Sequence, residues 1–149
     1  TKRFKNILIK MIDFNYELEF TLDDEAGYAS WLTKVIESEN KKLGEINYIF
    51  CDDEYLLAIN VEYLNHDTLT DIISFDYSLG NELNGDIFIS IERVRDNAND
   101  FNVSFNEELK RVMVHGVLHY CGYKDKSDSD ELLMRQKEDE KIQLFHVEQ

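Results

Sequence analysis

The sequence predicts an α+β fold, a small mixed sheet of about four strands packed with about five helices. Three observations carry that expectation. Apolar–polar alternation is confined to the first two thirds of the chain, whereas the segments after residue 91 keep only the helical period. Strands gathered early and helices gathered late are the pattern of an α+β domain rather than of alternating βαβ units. Finally, 149 residues with no proline and 43% apolar side chains are enough for one core and show no linker or repeat that would divide it.

Each element follows from local chemistry. In "MIDFNYELEF", from Met11, the residues Phe14, Tyr16, Leu18 and Phe20 alternate with polar ones, the period of a half-buried strand. From about 25 to 40, Trp31, Leu32, Val35 and Ile36 recur at helical spacing behind the caps Asp23 and Asp24, and "INYIFC" then reads as a strand. "DDEYLLAINVEYLN" opens on another acidic cap and restores the helical period; "DIISF" and "GDIFISI" are β-rich and joined by a glycine-containing loop. Three helices complete the chain, at about 91–100, at 105–121 behind the capping box Ser104 to Glu107, and at about 129–144.

Charge restricts the functional classes. The formal net charge is −15, and polyanion binding is usually driven by neutralising phosphates and releasing counterions. A generic nucleic-acid coat protein is therefore disfavoured, while a local basic cleft is compatible with acids that come in short clusters such as Glu138, Asp139 and Glu140. Cys51 and Cys121 are far apart in sequence, and "TKRFKNILIK" lacks the apolar core of a secretory leader, so a reducing cytoplasm is expected. Residues 1–10 read as an added or frayed leader, and no apolar run approaches a membrane span.

The chemistry concentrates in "HGVLHYCGYKD", residues 115 to 125. Four residues turn a helix by roughly 400°, so His115 and His119 stand about 40° apart and ~6 Å along the axis, within reach of one ion. A third ligand cannot come from the next turn without crowding, and the chain must first reverse. Gly122 tolerates a left-handed helix end, after which Asp125 can swing back to complete a His, His, Asp set suited to zinc. The competing reading is two ordinary histidines, a helix stop and a loop acid. Gly116 stands where H-E-x-x-H zinc peptidases carry their glutamate base, which weakens a peptidase reading. A glycine there serves either close approach of a polymer backbone or close helix packing. Val112, Met113, Val117 and Leu118 form a core stripe, and Cys121 is read as a packed thiol.

These residues resemble the YbeY endoribonucleases, also called rRNA maturation factors, whose signature HGxLHLxGYDH is matched except at Tyr120, Lys124 and Asp125. "INVEYLNHDTLTDIISF" (59–75) is similar to the family's LNxxYRxxDxPTDVLSF, "GDIFISIERVRDNA" (85–98) to its GDIxIS strand and helix, and "LMRQKEDEKI" to its tail. The resemblance implies that residues 11–149 form one metal-dependent hydrolase domain with a zincin-like metal-binding helix. It implies a zinc-dependent, single-strand-specific endoribonuclease that matures ribosomal RNA at the small-subunit 3′ end, takes part in ribosome quality control, and meets the small ribosomal subunit or its proteins in the cytoplasm.

Carried over by position, the ligands of one Zn2+ are His115, His119 and Asp125, with aspartate replacing a family histidine. That carboxylate donates negative charge, so bound water should acidify less than with three imidazoles. The family arginine beside the aligned tyrosine is here Leu64, after Tyr63. Lys124, Lys126, Arg111 or His66 are the candidate replacements for a cation facing the phosphodiester, with Lys124 the preferred one. Asp71 or a water chain is the candidate base. A zinc peptidase and a non-catalytic ribosome-assembly factor are the rival readings.

Overall fold

The computed structural model of the chain describes residues 11–65 and 69–147. The expected leader, residues 1–10, and the candidate cation His66 lie outside the described residues. Along the described chain the elements are β1 (Met11–Tyr16), α1 (Glu25–Ser38), β2 (Lys42–Cys51), α2 (Asp53–Leu64), β3 (Ile72–Asp76), β4 (Glu82–Ser90), α3 (Ile91–Phe101), α4 (Phe105–Tyr120) and α5 (Asp128–Val147). The four strands form one mixed sheet in the order β1-β2-β4-β3. β1 and β4 run parallel to β2, and β3 runs antiparallel to β4. The α+β class, the four strands and the five helices agree with the sequence reading.

Several strand boundaries differ from that reading, among them the start of β4, at Glu82 rather than Gly85, which the pairing of Glu82 and Leu83 with β2 extends. β1 stops at Tyr16 instead of continuing through Phe20, because Tyr16 pairs with Phe50 and β2 ends one residue later at Cys51. Past Tyr16 the Glu17 N–H still donates to the Phe50 carbonyl at 2.8 Å, and Phe20 then turns its ring onto Phe50 and Phe105, with centroids 5.6 and 6.0 Å away. β2 begins at Lys42, four residues earlier than "INYIFC", because Lys42 and Leu43 pair with Glu82 and Leu83 across an irregularity before Ile46. Alternation is lost at that bulge, so the sequence period does not show the strand continuing.

α4 lies on the sheet. Val112, Met113, Val114, Val117 and Leu118 are buried with Ile46, Tyr48, Ile87 and Ile89 in one cluster. The Tyr48 hydroxyl donates to the Met113 carbonyl at 2.7 Å, and the Tyr120 hydroxyl donates to Phe75 and Asp86 carbonyls at 2.9 and 3.2 Å. Buried tyrosines thereby satisfy their polar tips and fix the helix along its length.

Gly116 is part of this seam. A β-carbon there would lie 3.0 Å from Ile87 Cδ1 and 3.2 Å from Ile72 Cδ1, and the residue is buried. Of its two sequence readings, close helix packing is the one the structure shows. The glycine packs against the sheet and is not part of the cavity wall, which disfavours backbone approach by a polymer.

α5 packs across α4 and α1. Its inward stripe runs Met134, Glu138, Lys141, of which two are ionisable yet only 5% and 3% exposed. The Trp31 indole N–H donates to the Lys141 carbonyl at 2.8 Å, and the Lys141 ammonium meets Glu39 at 2.8 Å. No described helix is long and apolar enough to cross a membrane.

Candidate metal centre

Helix α4 is started and stopped by its own residues. Ser104 caps it by accepting from the Glu107 N–H at 3.1 Å. At the other end Gly122 has φ +106°, the Tyr123 N–H donates to the Leu118 carbonyl at 3.1 Å, and the Gly122 N–H donates to the His119 carbonyl at 3.0 Å. This is the Schellman arrangement, which satisfies the last carbonyls and reverses the chain.

The reversal brings Asp125 back over the two histidines. One carboxylate oxygen, Oδ2, lies 3.2 Å from His115 Nε2 and 3.3 Å from His119 Nε2. A donor atom from each of the three residues falls within 4.8 Å of the others, a grouping able to hold one metal ion. The spacing has a specific meaning. In a tetrahedron with donors about 2.0–2.1 Å from zinc, the donor-to-donor edge is roughly 3.3 Å. The two imidazole rings are near-perpendicular, with centroids 4.6 Å apart, so their nitrogens converge without the rings stacking.

A fourth side chain, which the sequence pattern does not mark, completes the arrangement. Glu138, on α5, places Oε2 2.7 Å from His115 Nδ1. It also accepts from Arg111 Nη1 at 2.9 Å, while Arg111 Nη2 reaches Asp139 at 2.7 Å. With Nδ1 protonated toward Glu138, the Nε2 lone pair of His115 points at the shared position, the tautomer metal ligands require. Burial opposes a charged His115 ring, but Glu138, Asp125 and Asp71 outweigh it and hold the imidazole above the ordinary histidine range. The donor set and its bracing fit a divalent ion.

The cluster opens into a cavity of about 860 Å³. Its walls include β3 residues and the adjoining Asp71, the end of α3, the polar face of α4 and the first turns of α5. Burial is the main reason the Asp71 carboxyl is raised above the usual range; His115 pulls it back while Glu138 and Asp125 add to the rise. Asn97 donates to Asp71 at 3.3 Å. Glu108 on the same wall is also raised, first by burial and then by Asp71, against the pull of Arg111 and Arg135.

The candidate cations separate clearly. Arg111 lines the cavity but is engaged by Glu138 and Asp139. Lys124 and Lys126 are exposed on the loop around Asp125 and are not part of the cavity wall. Leu64 is 41% exposed at the end of α2, likewise outside the wall. Both cysteines are free thiols; burial pushes Cys51 up to about 12 and Cys121 up to about 11, which suits packing rather than reactivity.

Fold and site together define a class, an α+β protein whose helix end and following loop present three convergent donors in an open cavity. Residues 13–146 match the family described as Endoribonuclease YbeY. The chain belongs to that family, as its three sequence blocks imply. The Endoribonuclease YbeY of Flavobacterium johnsoniae is 75% identical over 139 residues, covering 93% of this chain and 100% of that protein. That of Flavobacterium psychrophilum is 73% identical, covering 93% and 99%. The solution structure of TM1509 from Thermotoga maritima shares the fold, with a TM-score of 0.69 at 24% identity over 93% of this chain and 91% of that one.

Proposed function

We propose that the chain is a zinc-dependent, single-strand-specific endoribonuclease of ribosomal RNA maturation. In this reading it acts at the 3′ end of the small-subunit RNA and in ribosome quality control, in the cytoplasm, with the small subunit or its proteins as partners. His115, His119 and Asp125 hold one Zn2+. The observation that carries the proposal is the convergence of two Nε2 atoms on one Asp125 oxygen at 3.2 and 3.3 Å, in a chain of this family.

A zinc ion bound there supplies Lewis acidity toward a water or a phosphate oxygen. The chain's own residues do the rest. Glu138 keeps the His115 Nδ1 proton and fixes its ring. Asp71, desolvated and held by Asn97, is the cavity carboxyl available to accept and return a proton at its Oδ atoms. Lys124 and Lys126 beside Asp125 give positive charge to the strand outside the cavity.

The peptidase reading loses its base position, since Gly116 is packed against Ile87 and Ile72. A non-catalytic assembly factor is favoured by one observation, the acids Asp71, Glu108, Asp125 and Glu138 around a cavity that must receive a polyanion. Metal analysis of the purified protein, with cleavage of single-stranded RNA by wild type and His115→Ala, separates these readings. Zinc with His115-dependent cutting is the expected result; zinc without cutting selects the assembly factor, and peptide hydrolysis selects the protease.

A further inference from the structure

Two exposed apolar side chains rim the cavity from different helices. Phe101, the last residue of α3, is 57% exposed, and Leu132, in the first turns of α5, is 62% exposed. Phe101 has no aromatic partner among the described residues, unlike Phe105, which packs edge-on against Phe20. Single exposed apolar residues need no explanation, but a pair facing one polar cavity marks a binding surface.

Arg135 lines the same cavity, on the helix that carries Leu132. On α5 the positions 128, 131, 132, 135 and 138 follow the helical period into the cavity, so Arg135 lies one turn before Glu138, the residue that braces His115. Of the two arginines there, Arg111 is taken by Glu138 and Asp139. Arg135 is exposed and forms no ion pair or hydrogen bond among the described residues, and its charge pulls the Glu108 carboxyl down against burial. A guanidinium left unpaired in an otherwise acidic cavity is placed to receive an anion.

An aromatic face, an aliphatic side chain and an unpaired arginine are the parts that seat an unpaired nucleotide. Bases outside a duplex expose a face that stacks on aromatic rings, and arginine takes the phosphate in a planar fork. A cavity of about 860 Å³ accommodates such a group beside the donor cluster. We propose that Phe101, Leu132 and Arg135 form a nucleotide-binding subsite next to the three-donor cluster. An unpaired base of the RNA strand stacks on the Phe101 ring against Leu132, and a phosphate pairs with Arg135. The subsite rests on the endoribonuclease reading and deepens it in two ways. It supplies the cation missing at Leu64 from a different helix, and it makes cutting depend on a base free to leave a duplex.

The test uses full-length zinc-loaded protein and a single-stranded RNA oligonucleotide with one mapped cut. Two further oligonucleotides carry an abasic nucleotide on one or the other side of that cut. Phe101→Ala should lower kcat/KM roughly tenfold, mainly through KM, as loss of one stacked base does, and Phe101→Tyr should restore most of it. On one of the abasic substrates the Phe101→Ala penalty should vanish, because the stacking partner is already gone. Arg135→Gln should raise KM and flatten the log–log salt dependence by about 0.7, the loss of one phosphate contact on a single strand; Arg135→Lys should keep that slope. Zinc content should be unchanged throughout. Wild-type cleavage by both Phe101→Ala and Arg135→Gln overturns the subsite alone, as does a full Phe101→Ala penalty on both abasic substrates. Zinc-loaded wild type that binds or cuts no RNA overturns the endoribonuclease reading, and the subsite with it.

Discussion

Two carboxylates meet His115 at opposite ring nitrogens, and they are held in opposite ways. Glu138 sits on a helix, is 5% exposed, and is braced by Arg111 at 2.9 Å while it faces Nδ1 at 2.7 Å. Asp125 sits on the loop after the helix stop, its side chain is 39% exposed, and it faces Nε2 of both histidines. A buried carboxylate with an arginine partner fixes direction, whereas one at the edge of a cavity faces an exchangeable position. The contrast separates a residue placed to orient the His115 ring from the residue we propose as the metal ligand. Their sequence distances from His115 differ as much, with Asp125 ten residues away on the adjoining turn and Glu138 on another helix.

The strongest way to break this contrast is to delete each carboxylate in turn. Asp125→Ala should take bound zinc and RNA cleavage to background while leaving stability within about 0.5 kcal/mol when both proteins are compared metal-free, as for other part-exposed loop positions. Metal analysis and urea unfolding read the two effects. Glu138→Ala should do the reverse in emphasis, costing about 3 kcal/mol in urea because Arg111 loses a buried partner. Glu138→Gln, which keeps the volume, should weaken zinc affinity by roughly 10- to 100-fold. If Glu138→Ala leaves stability intact and only the metal is lost, the two carboxylates are not different in kind.

A smaller effect tests the surface on which both depend. Gly116→Ala pushes a methyl against Ile87, and overpacking of about 1–3 kcal/mol is partly offset by about 1 kcal/mol of helix propensity. A net loss of about 1 kcal/mol is expected, read by thermal unfolding, with KM for RNA unchanged. Raised KM at unchanged stability would restore the substrate-approach reading of this glycine.

An effect of similar size, but one that fades at acid pH, concerns how α5 is anchored one turn beyond Glu138. Burial raises the Glu39 carboxyl, but the Lys141 ammonium and the Tyr123 hydroxyl overcome it and hold its pKa below the ordinary 4.5. A depressed carboxylate contributes stability above its unfolded pKa and loses it as pH falls through the folded value. Glu39→Gln should therefore cost about 1 kcal/mol at neutral pH, with the difference from wild type closing below 4.5. Urea midpoints across pH measure it.

What was legible in the sequence follows the same division. His115, His119, Gly122 and Asp125 lie within eleven residues, so helical geometry and one left-handed glycine suffice to place them. Glu138 was not visible because its partner is 23 positions earlier on another helix and its neighbours Asp139 and Glu140 make it look like a solvated acidic run. A signal existed. Met134, Glu138, Lys141 and Phe145 are spaced four, three and four apart, which puts two ionisable residues on the inward stripe of an amphipathic helix. Arg111 was seen as a candidate cation, but only tertiary pairing shows that Glu138 and Asp139 occupy it. The end of β1 and the start of β2 differ from the sequence reading for a related reason, since strand length is set by the neighbouring strand rather than by alternation alone.

The most direct test of the account is the position of the ion itself. Crystals grown with zinc, measured on both sides of the zinc absorption edge, should show one anomalous peak about 2.0–2.2 Å from His115 Nε2, His119 Nε2 and an Asp125 oxygen. Glu138 should remain on Nδ1, away from the ion. No peak at that position, or a peak ligated by Glu138 with Asp125 turned to solvent, would contradict the account.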